Sequence, residues 1–125
     1  MNFDWDKLQQ WALEEVEATL MQLPPPLRER TKALPVIFER VPNAEFVAEG
    51  IDADTLGLFT GPAFAEEEYS ASPVPPQIIL YLENLWNFAE SDEEMFRDEV
   101  HTTYLHELGH YLGLDEDDLT ERGLE

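Results

Sequence analysis

Residues 106–110 read His-Glu-Leu-Gly-His and place two of the chain's three histidines four positions apart. This spacing means little on a strand. On an α-helix four residues turn through about 400°, so His106 and His110 project from one face, one turn apart. There both rings can reach one Zn²⁺ at about 2.0–2.1 Å. Glu107 then sits beside such an ion without ligating it, where a general base must sit to take a proton from a water activated there. The segment is therefore expected to be helical, with His106 and His110 as metal ligands and Glu107 as the catalytic carboxylate. The third histidine, His101, points about 140° away from His106 on the same helix and is expected to be a solvated or hydrogen-bonded structural residue.

A chain of 125 residues is expected to form one domain, 1–125, with a single core, so whatever it does must be done at one site. It has no cysteine, which removes disulfides and thiolate ligands together and leaves histidine and carboxylate as the only strong metal donors. Seven basic residues against 28 acidic ones give a net charge of −21, a potential that repels phosphate backbones and anionic lipid heads. Neither nucleic acid nor a membrane surface is an expected partner. The charge serves solubility, and beyond that fits a cationic substrate or a metal-rich acidic cleft. Residues 1–23 are interrupted throughout by Asp, Glu, Lys and Gln, and no run approaches the ~20 apolar residues of a membrane span, so the expected location is cytoplasmic.

Leu8, Trp11, Ala12, Val16, Thr19, Leu20 and Leu23 recur at three- and four-residue intervals, which predicts an amphipathic helix over about 3–21, ended by Pro24-Pro25-Pro26. Residues 27–32 suit a single helical turn. Residues 35–42 read as a short strand bracketed by prolines, 56–59 as a second, and Gln77-Ile78-Ile79-Leu80-Tyr81-Leu82 as the strongest third, giving a small sheet of three or four strands. Residues 63–76, with Glu66-Glu67-Glu68-Tyr69 and three prolines, carry no usable period and are expected to be a flap or rim. A short helix over 83–90 precedes Ser91, which with Glu94 forms a capping-box signature for a last helix over 92–112. On that helix Glu99, Thr103, His106 and His110 share one face. Val100, Tyr104, Leu108, Tyr111 and Leu112 anchor it elsewhere.

Gly113 is the residue type that lets a helix stop in a left-handed turn and fold sharply back, so a group just beyond it can close on an ion held by the histidines. Counted from His106, the segment reads H-E-x-x-H-x-x-G-x-x-E, with Glu116 where metzincins carry a third histidine. Glu116 is the third-ligand candidate. Asp115 and Asp117 are its immediate rivals, and Glu121 and Glu125 are weaker ones. Departures from known patterns are also visible. The last methionine, Met95, precedes the motif, so a metzincin methionine turn has no counterpart, and the only phenols on offer as transition-state donors are Tyr69, Tyr81, Tyr104 and Tyr111.

Residues 102–119, together with Ile78-Ile79-Leu80-Tyr81 and Leu56-Gly57-Leu58-Phe59, resemble the zincin-like metallopeptidase family of small single-domain bacterial proteins. The resemblance implies an α+β minimal zincin fold, a small mixed β-sheet packed on an N-terminal helix and a C-terminal active-site helix, with a zinc site open to an extended peptide. It implies His106 and His110 as ligands, Glu107 as the general base and an acidic residue after Gly113 as third ligand. The expected function is zinc-dependent peptide-bond hydrolysis. The expected partner is a peptide or flexible protein segment, held along an edge strand at 56–59 or 77–82. The competing expectation is a catalytically degenerate zincin that binds metal or a peptide, for which the short C-terminal segment and the missing donor speak.

Overall fold

The computed structural model describes residues 4–64 and 75–114. Helix α1 (Trp5–Gln22) starts at Asp4, whose side chain accepts from Lys7 N, and buries Leu8, Ala12, Val16 and Thr19 along the predicted stripe. The prolines that stop it also start α2 (Pro25–Thr31), since a proline in the first turn loses no helical hydrogen bond. Three strands follow, β1 (Val36–Glu39), β2 (Gly57–Thr60) and β3 (Gln77–Tyr81). Between β1 and β2 lies α3 (Ala44–Ala48), capped by Asn43 accepting from Phe46 N. Hydrophobic periodicity does not announce this helix, because none of its residues is buried. The chain passes directly from β3 into α4 (Leu82–Phe88) and then into α5 (Glu93–Leu112).

The sheet has the order β1-β3-β2, with β1 parallel and β2 antiparallel to β3. Ile78, Ile79, Leu80 and Tyr81 are all buried, as a strand flanked on both sides and covered on both faces requires. This central position corrects one expectation. With both its edges paired, β3 has none left for a substrate backbone, and of the two strands expected in that role only β2 keeps an unpaired edge among the described residues. Ile78 and Leu80 join Leu8, Val16, Phe96, Val100, Tyr104 and Leu108 in one core, so α5 is held between the sheet and α1. The result is the expected α+β arrangement of a small mixed sheet on helices.

The start of α5 also departs from expectation by one residue. Glu90 and Ser91 both take left-handed backbone, φ 55° and 61°, which turns the chain out of α4. Asp92 therefore becomes the N-cap, accepting from Met95 N at 2.9 Å, and Ser91 does not cap. The other end is as predicted: Gly113 sits at φ 73°, and Leu114 N donates to Gly109 O at 2.8 Å in a Schellman-type closure. No described helix is long and apolar enough to cross a membrane.

Candidate metal centre

Thr103, Glu107 and Tyr111 recur every four residues along α5 and form the strip on which β2 lies. A Cβ on Gly57 would stand 2.6 Å from Thr103 Cγ2, closer than such atoms approach, so only glycine lets the strand come this near the helix. At the other end of β2, the Phe59 ring packs 5.7 Å from Tyr111. These two contacts show β2 running alongside α5 in the same direction, with Glu107 between them. Thr103 is consequently buried under the strand and leaves the open face that sequence spacing assigned to it.

Turning about 60–100° from Glu107 around the helix brings His110 and His106 beyond the edge of this strip, and both are exposed. The Glu107 side chain is 9% exposed and that of His110 53%, so one element carries a desolvated carboxylate beside open imidazoles. Glu107 Oε1 lies 3.3 Å from His110 Nδ1, and the two imidazole rings stand 4.7 Å apart at 65°. One donor atom from each of His106, Glu107 and His110 falls within 4.8 Å of the others. The cluster is free of thiolate, and its two imidazoles are donors of the kind that zinc takes, with the Glu107 carboxylate close beside them.

Not every residue marked out by sequence joins this group. Glu116 and its rivals Asp115, Asp117, Glu121 and Glu125 lie outside the described residues, as do Tyr69 and most of the expected flap. His101 is elsewhere, as expected. Thr19 Oγ1 donates to Glu15 O at 2.7 Å and so has only its lone pairs left for His101 Nδ1, also at 2.7 Å, which fixes His101 as the donor joining α5 to α1. Tyr104 points about 160° away from His106 into the core, and burial pushes its phenol well above the ordinary 10. Tyr81 is fully buried in the central strand, its phenol raised by burial and then by Glu39. Neither can serve as a donor to a substrate. Tyr111 packs between Phe59 and Phe64, and Arg30 lies 5.4 Å over the Phe64 ring. This aromatic wall, and the need for glycine at 57, were not read from the sequence. Their signal is the Gly-x-Phe alternation of 57–59, which sends both residues to one side of the strand.

No curated protein matches the chain. Residues 31–124 do match a family described as zincin-like metallopeptidase, a stretch that spans all three strands, α5 and the His-Glu-x-x-His segment. The chain belongs to the zincin-like metallopeptidase family.

Proposed function

We propose that the protein is a zinc metallopeptidase that hydrolyses peptide bonds in extended or flexible segments, with His106 and His110 holding the metal and Glu107 acting as general base. The observation that carries this reading is the pairing of a buried carboxylate with two exposed imidazoles on one turn of α5. When bound, zinc supplies Lewis acidity toward a carbonyl oxygen and lowers the pKa of water toward neutrality.

Each of the chain's own groups has a task in this scheme. Glu107 accepts the proton of the attacking water and passes it to the departing amine nitrogen. Its burial under β2 keeps the carboxylate from swinging away into solvent. The free edge of β2 offers backbone N–H and C=O groups to an extended substrate, which lays the scissile bond over the exposed face of α5. The third ligand is proposed to be Glu116, with Asp115 and Asp117 as alternatives. Glu116→Ala should weaken zinc binding by about an order of magnitude or more in a competition titration.

The test is cleavage of a broad library of unstructured peptides by the zinc-loaded protein, with Glu107→Gln as control. Glutamine keeps the size and hydrogen bonding of the side chain but cannot accept the proton. Zinc should stay bound while hydrolysis falls by about 10²- to 10⁴-fold. One observation favours the second reading, a metal- or peptide-binding zincin without turnover: Tyr81 and Tyr104 are committed to the core. Stoichiometric zinc with no cleavage between pH 5 and 9 would establish that reading instead.

A further inference from the structure

We propose that Glu99 selects substrates with a basic side chain about three to four residues to the carboxyl side of the scissile bond, an inference that rests on the peptidase reading above. Glu99 precedes His106 by seven residues, so it lies within about 20° of the same helix face and about 10.5 Å toward the start of α5. It is half-buried, and among the described residues it has no ion-pair partner. The metal centre between His106 and His110 is then about 10.5–13.5 Å from Glu99 along the helix, and since an extended peptide advances about 3.3 Å per residue the offset is about three to four residues.

The strand geometry supplies the direction. Since β2 runs alongside α5 in the same sense, Gly57 near Thr103 and Phe59 near Tyr111, a peptide pairing antiparallel to its free edge points its carboxyl half toward Glu99. Antiparallel pairing is the more stable choice for an added strand.

Charge elsewhere makes the preference positional rather than general. Arg97, the only Lys or Arg on α5, is held by Glu14, Glu15 and Glu93 on the α1 side. Arg28 donates to Met21 O and Leu23 O, and Arg40 stacks over Trp5. Arg30 lies over the Phe64 ring, which packs against Tyr111 toward the end of α5 away from Glu99. Among the described residues, therefore, no Lys or Arg is paired with the Glu99 carboxylate, which lies on the same helix face as His106 and His110.

The experiment is a set of fluorogenic peptides identical except for Lys, Gln or Asp at each of the four positions on either side of the bond, assayed at low ionic strength. At the third or fourth position on the carboxyl side, kcat/KM for Lys should exceed that for Asp by about fivefold, as an exposed ion pair and its like-charge counterpart allow. The ratio should approach one in 1 M NaCl, where the screening length is about 3 Å. Glu99→Gln should abolish the preference and Glu99→Arg should invert it, with thermal melts showing that both variants fold. Equal cleavage of Lys and Asp peptides overturns this proposal alone, as does a preference on the amino side or one that survives Glu99→Gln. Failure to cleave any peptide overturns the peptidase reading and this inference with it.

Discussion

Glycine at position 57 and threonine at 103 are a matched pair. The strand can lie over the active-site helix only because one residue has no Cβ and the other offers a methyl to the space. Gly57→Ala is expected to push β2 away from α5 and cost about 1–3 kcal/mol, the usual penalty for overpacking. Thr103→Ser removes Cγ2, so the double variant should recover most of that loss. Denaturant melts of the four proteins in the cycle measure the coupling, and strict additivity would show that the contact does not set the strand's height. Displacing β2 also uncovers Glu107, so activity in Gly57→Ala should fall more than zinc content. The residue scale is where sequence was most informative about chemistry: His106, Glu107 and His110 come together as their spacing on a helix demands. It was least informative about Thr103, because helical angle alone cannot distinguish open solvent from the underside of a neighbouring strand.

At the scale of elements, α1 and α5 are held together by a charged clamp as well as by apolar packing. Arg97 makes contacts of 2.9–3.1 Å with Glu14, Glu15 and Glu93, and lies 5.8 Å over Trp11. The hydrogen bond from Arg97, followed by one from Gln10, holds the Glu14 carboxyl below its ordinary 4.5. A carboxylate depressed in the folded state stabilises fully above its unfolded value, and that contribution is lost as pH falls below about 4.5 through the folded value. Arg97→Gln should therefore lower Tm at pH 7, and the gap from the parent should narrow as pH drops below 4. A gap that stays constant down to pH 2 would show that the guanidinium contributes only its stacking on Trp11. Elements with a strong period were legible in sequence, α1, β3 and α5 above all. The short helix α3 was not, because a surface helix with no buried residue has no hydrophobic stripe to read. The N-cap of α5 was misplaced by one residue because the left-handed turn at Glu90 and Ser91 is a tertiary choice, made to bring α5 under the sheet, that neither residue type favours.

Over the whole molecule, one core of apolar residues supports a surface that carries a net charge of −21, and the open face of α5 is where the two meet. The family and the α+β architecture were legible through the resemblance carried by 18 residues around the motif and two strand segments, and the family model over residues 31–124 agrees with it. The strand order was not legible, since alternation of apolar residues says which face of a strand is buried and nothing about its neighbours. This face of α5 is proposed to hold one zinc ion through His106 and His110, and metal analysis of the purified protein is the direct test. About one zinc per chain is expected in the parent and in His101→Ala, whose histidine is bonded to Thr19 on another side of the helix, and loss of stoichiometric zinc in His106→Ala and in His110→Ala. Full zinc occupancy in His106→Ala or His110→Ala would contradict it.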